Sequence, residues 1–226
     1  MQSVLSIIAL AGIASLAQAD VIGGAGGYVP TINGRTVVNL TPYATVSHDR
    51  DLGAGTMYVD FGTALPSVDG IGDFDNFIAA IDINVVFGTT PGAAVTVFGI
   101  GWDVEISTMS PSYLSDAALL HDDYASMGDA AAFVLTPGVA NPFPGTATYS
   151  SGGMVDLTVD VGLPNLVLDT GVLYLEFFEW YDDFASLTDA YWSPGLARLY
   201  YSVSVPAPGA VALIGLGGLT LARRRR

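Results

Sequence analysis

The sequence predicts an all-β protein, an antiparallel β-sandwich or jelly roll, with short apolar helical segments at both termini. Apolar and polar residues alternate in several short runs, which is typical of half-buried strands. Turn dipeptides such as Asn33-Gly34 and Pro91-Gly92 separate these runs. Glycine and proline supply 27 and 12 of the 226 residues, as many short strands require. About eight to ten strands with one apolar face each fit two sheets packed face to face.

The alternating runs place the strands in order along the chain. The strongest are residues 81–87, 100–107, 155–160, 173–178 and 197–204, and weaker ones are 36–40, 43–47, 56–61 and 131–135. Within 100–107, Ile100, Trp102 and Val104 share one face, so Trp102 is expected in the core. Residues 113–127 fit either a helix capped by Ser115 or a strand over 113–121 followed by an acidic turn. We favour the strand, because its neighbours are strands.

The charge is strongly negative and unevenly placed. The chain has seven arginines, no lysine, no cysteine and 22 acidic residues. Residues 20–204 contain only Arg35, Arg50 and Arg198 against all 22 acids, a net charge of −19. Such a body repels nucleic acid, so we expect no nucleic-acid partner. The absence of cysteine and lysine excludes disulfides, thiolate zinc sites, Schiff-base chemistry and a P-loop lysine.

The two ends of the chain read as targeting segments. Residues 4–16 are an apolar run followed by Ala17-Gln18-Ala19, a small-x-small cleavage pattern. We therefore predict a signal peptide over residues 1–19 and a β-sandwich domain over 20–204, with a buried N-terminal strand as the alternative for the first segment. Residues 205–226 combine a proline pair, an apolar stretch over 209–222 and four arginines. This order predicts a short transmembrane helix whose arginines stay on the cytoplasmic side.

The C-terminal segment carries a specific resemblance. Its motif consists of Val205, Pro206, Ala207 and Pro208, followed after the apolar stretch by Arg223, Arg224, Arg225 and Arg226. This arrangement resembles the PEP-CTERM sorting signal of Gram-negative bacteria, with Ala207 where that family usually has glutamate. A rhombosortase signal, which has its glycine pair before the apolar helix, ranks second because Gly217-Gly218 lies inside it. A further resemblance, to exported β-sandwich proteins of planctomycete type, rests on residues 101–107, 113–116, 135–138, 150–157 and 175–183.

The PEP-CTERM resemblance implies a location and partners. It implies that a signal peptidase and an exosortase-type sorting enzyme process the chain. It also implies that the C-terminal helix anchors the chain transiently in the inner membrane. The expected destination is the outer surface or extracellular matrix of a Gram-negative-type bacterium.

One acidic loop is a candidate calcium site. Asp69, Asp73, Asp75 and Asn76 fall within eight residues that also contain two glycines. Calcium takes six to eight oxygen ligands, which a dense Asp/Asn loop supplies. The loop is not an EF-hand, because no glutamate occupies the twelfth position. The alternative is an ordinary solvated turn.

Four aromatic residues are candidates for glycan binding. Trp180, Tyr181, Tyr191 and Trp192 cluster in the sequence around Asp182, Asp183 and Asp189. Exposed rings flanked by carboxylates suit polysaccharide, whereas rings that fill the core would have no such role.

Catalytic patterns are weak, so we expect no enzymatic activity. Glu105 and Glu176 would fall on adjacent outward faces, as a retaining glycosidase requires of its acid pair, but no spaced acid motif accompanies them. His48 and His121 neighbour acids in expected loops, and no Gly-x-Ser-x-Gly elbow occurs. The leading prediction is a non-enzymatic cell-surface or matrix protein with a surface for polysaccharide. The alternatives are a carbohydrate-active enzyme and a purely structural surface protein.

Overall fold

The computed structural model of the protein describes residues 7–9, 31–32, 35–46, 55–61, 64–123, 132–183, 188–193 and 197–204. These residues form two β-sheets with little helix. The strands are β1 (Ile7–Ala9), β2 (Thr31–Ile32), β3 (Arg35–Asn39), β4 (Ala44–Val46), β5 (Thr56–Asp60), β6 (Leu65–Ser67), β7 (Phe77–Asp82), β8 (Val95–Thr108), β9 (Ala117–Asp122), β10 (Phe133–Leu135), β11 (Gly145–Ser150), β12 (Val155–Asp156), β13 (Leu166–Leu168), β14 (Val172–Glu179), β15 (Ala190–Trp192) and β16 (Arg198–Ser204). A short α-helix, α1 (Ile83–Phe87), a 3₁₀ turn (Thr41–Tyr43) and a π-helical turn (Leu157–Val161) connect them.

The first sheet runs in the order β1-β10-β9-β14-β7-β3-β2. Its ladders are antiparallel except for β3 and β7, which are parallel. Every residue of β14 is buried, so the sheet is covered on both faces around this strand. Ile71 and Trp180 pack on the outer face, beside Phe178. The loop that contains Ile71 is therefore held against the outside of the first sheet.

The second sheet is built around β8, a strand of 14 residues. One edge of β8 pairs with β16 and β15, and the other edge pairs with β11, β12 and β13. β5 and β4 continue the sheet beyond β16, and β6 continues it beyond β15. A long strand thus serves as the common partner of several short ones.

The core lies between the two sheets, as the sequence predicts for a sandwich. Phe177 of β14 meets Trp192 of β15 edge to face, with ring centroids 5.3 Å apart. Trp102 is buried on the inner face of β8, which confirms its expected core position. His121 Nε2 of β9 lies 3.0 Å from the Tyr201 hydroxyl of β16. A polar contact therefore also joins the sheets.

Most of the expected strands are present. Residues 100–107 lie in β8, 173–178 in β14 and 198–204 in β16, and the weaker runs overlap β3, β4, β5 and β10. Within residues 113–127, β9 covers only 117–122, so the strand interpretation is confirmed for that part of the predicted strand, whereas residues 113–116 form a turn. Residues 124–131 lie outside the described ranges.

Two of the expected strands instead turn into helical segments. The strand predicted over 81–87 ends at Asp82 and gives way to α1, and the strand predicted over 155–160 ends at Asp156 and gives way to the π-helical turn. In both places the aspartate side chain accepts backbone N–H bonds from the following turn, and a glycine six residues later adopts φ of 63° or 79° to end it. Aspartate capping with a left-handed glycine stop overrides the alternating pattern.

Of the segments predicted at the two ends of the chain, the structure describes only residues 7–9. Residues 7–9, expected in an apolar helical segment, are extended in β1 and pair with β10. Within the described ranges, no helix is long and apolar enough to span a membrane. The remainder of residues 1–19, and all of 205–226, lie outside these ranges, as does His48.

Candidate functional site

Three carboxylates of the loop between β6 and β7 converge, as the sequence suggested. Carboxylate oxygens of Asp69, Asp73 and Asp75 all lie within 4.8 Å of one another. The loop turns tightly because the Asp73 N–H donates to the Gly70 carbonyl at 3.1 Å, and the Asp75 N–H donates to Asp73 Oδ1 at 2.9 Å. Asp73 and Asp75 are exposed. We call these three residues the aspartate triad.

Asn76, expected as a fourth ligand, instead supports the loop from inside. Its Oδ1 accepts the Asp69 N–H at 2.9 Å, and its Nδ2 donates to the Gly70 carbonyl at 2.7 Å and to Glu176 Oε1 at 2.9 Å. Both ends of the amide are therefore engaged by the protein. Asn76 holds the loop closed beneath the triad, and its prediction as a ligand does not fit this structure.

Glu176 anchors the same loop from β14. Its Oε1 accepts the Gly72 N–H at 2.7 Å and pairs with Arg35 Nη2 at 2.9 Å. Both members of this ion pair are buried. The predicted neighbourhood of Glu105 and Glu176 is wrong, because Glu105 lies on β8 of the second sheet. Glu176 thus has a scaffolding role rather than a place in a carboxylate pair.

A further carboxylate, that of Asp182, lies beside Asp69 of the triad. Partial burial, together with charge repulsion from Asp182, Asp73 and Asp75, raises the pKa of Asp69 to about 6. A divalent cation bound here would relieve this repulsion and would favour the ionised form of Asp69. Exposed carboxylate oxygens are hard ligands that suit calcium. The sequence identified the triad but not Asp182, since the two segments meet only in three dimensions.

A second acidic residue next to the triad, Glu179, lies between the two sheets. Glu179 ends β14 and is fully buried, and its N–H donates to the Asp69 carbonyl at 2.9 Å. The Ser67 hydroxyl donates to its Oε1, whereas Oε2 has no hydrogen-bond partner among the described residues. Burial raises the pKa of Glu179, and repulsion from Asp189, Asp116 and Asp183 raises it as well, whereas the hydrogen bond from Ser67 lowers it. The net result is a pKa of about 8.

The four predicted glycan-binding rings do not form one surface. Trp192 is 0% exposed and fills the core, so its prediction as a surface ring is wrong. Trp180 is half-buried, and its indole N–H donates to Thr136 Oγ1 at 3.1 Å. Tyr181 and Tyr191 are 70% and 41% exposed. These two lie on different elements, since Tyr181 follows β14 and Tyr191 lies on β15. Side chains alternate in direction along β15, so Tyr191 is exposed while Trp192 is buried.

His121 is not in a loop, as the sequence suggested, but near the end of β9. Its ring stacks on Phe133 with centroids 4.4 Å apart, and complete burial lowers its pKa to about 3. The imidazole is therefore neutral at physiological pH and belongs to the core. It has no access to a substrate or a metal ion from solvent.

Comparison of the sequence with protein-family models gave no match, and a search of curated proteins gave none either.

Proposed function

We propose that this chain is an exported, non-enzymatic β-sandwich protein of the bacterial cell surface or extracellular matrix, sorted by an exosortase-type system. The observation that carries the proposal is the order of the C-terminal segment: a proline motif over 205–208, an apolar stretch and four arginines. The signal-like run at residues 1–19 supports it independently, because a sorting signal requires export. The tail begins where β16 ends at Ser204.

The contacts and positions of the acidic residues support the non-enzymatic part of the proposal. Glu176 is committed to Arg35 and to the loop backbone. It also lies in a different sheet from Glu105. The acids that do gather, in the loop between β6 and β7, carry repelling charges, which suits cation binding better than acid–base catalysis. On the outside of a cell, calcium at millimolar concentration is available to such a site.

The export proposal predicts the mass of the mature protein. When the full chain is expressed in a Gram-negative host that encodes an exosortase, we expect an intact mass matching residues 20 to about 204, found outside the inner membrane. The matched control replaces Arg223 to Arg226 with alanine, which should keep signal cleavage but leave the tail uncut in the membrane fraction. A full-length wild-type protein in the cytosol would overturn the proposal.

The triad predicts a calcium-dependent stability. With a Kd of roughly 10⁻⁴ to 10⁻³ M, as in extracellular modules, 10 mM Ca²⁺ stabilises the fold by about 1.4 to 2.7 kcal/mol. This corresponds to a Tm increase of about 3 to 10 °C. Asp73→Asn with Asp75→Asn should remove the increase, whereas Asp169→Asn, an exposed acid in another turn, should keep it. An unchanged Tm in the wild type at this concentration would contradict a calcium role.

A further inference from the structure

The outer face of the second sheet contains an open cleft of about 370 Å³. Its side chains come from four neighbouring strands, β5, β16, β8 and β11. Its lining residues are Asp60, Asp103, Val104, Thr148, Tyr149, Ser150 and Arg198. A volume of this size is at the lower end of the range for small-molecule sites, and an open shape suits a chain that passes across it.

Four polar residues form a straight row across the cleft. Arg198 lies opposite Asp60 on one side and Asp103 on the other, and Ser150 lies opposite Asp103. Directly opposite residues of an antiparallel sheet point to the same face. Three strand spacings give the row a length of about 14 Å. The row therefore alternates acceptors and donors over the length of a short oligosaccharide.

Arg198 is held in position within the row. Its Nε and Nη2 donate to the two carboxylate oxygens of Asp60 at 2.5 and 3.3 Å, and its guanidinium carbon lies 5.3 Å from the centre of the Tyr58 ring. This pair uses two of the five donors of a guanidinium. The side chain is 51% exposed. A ligand thus meets a pre-ordered donor, which reduces the entropy lost on binding.

The same face continues along β8 toward Tyr191. Glu105 and Ser107 follow Asp103 on the same face, two and four residues further along β8. Tyr191 of β15 lies opposite Ser107. The Ser107 hydroxyl is 2.9 Å from Thr146 Oγ1 on β11. Four residues of strand place Tyr191 about 14 Å from the row. An exposed aromatic ring therefore flanks a strip of carboxylates and hydroxyls.

We propose that this strip, from Arg198 and Asp103 to Tyr191, binds a neutral, hydroxyl-rich glycan. Carboxylates accept hydrogen bonds from sugar hydroxyls, arginine and hydroxyl side chains donate to them, and a tyrosine ring covers the apolar face of a pyranose. The net charge of −19 of residues 20–204 disfavours an anionic polysaccharide. The inference rests on the proposed extracellular function and assigns a location to the polysaccharide surface that the sequence predicts.

The test measures binding of the purified protein to neutral polysaccharides by affinity gel electrophoresis. The probes are a soluble β-glucan and a galactomannan, with alginate as the anionic and chitosan as the cationic comparison. We expect retardation by a neutral probe and none by alginate. Asp103→Asn and Tyr191→Ala should each weaken binding about tenfold. The matched controls Asp169→Asn and Tyr181→Ala remove an acid and an exposed ring elsewhere, and should bind as the wild type does.

Three results would overturn the inference. No retardation by either neutral probe, retardation by chitosan alone, or equal binding by the strip variants and their controls would all contradict it. Asp103→Asn preserves the side-chain size, so it decides the result if Tyr191→Ala fails to fold. Failure of the extracellular proposal is seen separately, in the mass and cell fraction of the wild type. An exported protein without glycan binding would refute the strip alone.

Discussion

Glu179→Gln should make the protein more stable at alkaline pH, while leaving its stability near pH 5 almost unchanged. The Glu179 carboxyl lies between the sheets, and its pKa is raised from 4.5 to about 8, mainly by burial. Repulsion from Asp189, Asp116 and Asp183 acts in the same direction, against the hydrogen bond from Ser67. The folded protein therefore keeps this proton at neutral pH, and a glutamine resembles the protonated side chain.

The sign of the pH dependence follows from the two pKa values. In the unfolded chain the carboxyl loses its proton near pH 4.5, whereas in the folded protein it keeps it until about pH 8. Since the folded state binds more protons in this window, stability decreases as the pH rises through it. The gap between the two values corresponds to roughly 5 kcal/mol. At pH 9, Glu179→Gln should therefore increase the free energy of unfolding by several kcal/mol relative to the wild type.

Urea unfolding at pH 5, 7 and 9 in the presence of a calcium chelator measures this difference. The chelator prevents cation binding at the neighbouring triad from changing the profile. Glu105→Gln serves as the control, because it removes a glutamate from the half-buried outer face of β8 and should leave the wild-type pH profile in place. Parallel profiles for the wild type and Glu179→Gln would show that Glu179 is ionised in the fold.

The parts of the fold that follow a simple alternation could be predicted from the sequence. Residues 100–107 and 197–204 alternate along most of their length, because one face of each strand meets the core and the other is mostly polar, although Tyr200 on the outer face is buried. The segment 83–87 alternates too, but its conformation is set by Asp82 and Gly88 at its ends. The near-repetition of that pattern at Asp156 and Gly162 is a sequence signal that would have identified both helical turns.

The candidate site could be predicted only where it is local in the sequence. Asp69, Asp73 and Asp75 come together through the turns of a single loop, so their spacing was enough. Asp182 and Glu179 reach that neighbourhood only because β14 pairs between β7 and β9, a topology that composition does not encode. Similarly, Tyr191 and Trp192 are adjacent residues of one strand, and only its register decides which of them is buried.

The buried ion pair below the loop predicts the second large effect. Arg35 of β3 and Glu176 of β14 lie on either side of β7, with exposed fractions of 5% and 4%. Arg35→Met would leave the Glu176 charge buried without its partner, which costs about 3 to 5 kcal/mol. The exposed pair of Arg198 and Asp60 is the matched comparison, and Arg198→Met should cost at most about 1 kcal/mol. Urea unfolding at pH 7 measures both changes.

A second substitution separates the buried charge from the hydrogen bonds of Glu176. In the Arg35→Met protein, Glu176→Gln removes the uncompensated charge but keeps an oxygen that can accept from the Gly72 N–H and from Asn76. This double variant should regain much of the stability that Arg35→Met loses. It should also show the calcium-dependent Tm increase of the wild type, since the loop stays anchored beneath the triad. If Arg35→Met costs no more than Arg198→Met, the ion pair is not what holds the loop. The triad geometry would then depend on the turns of the loop itself.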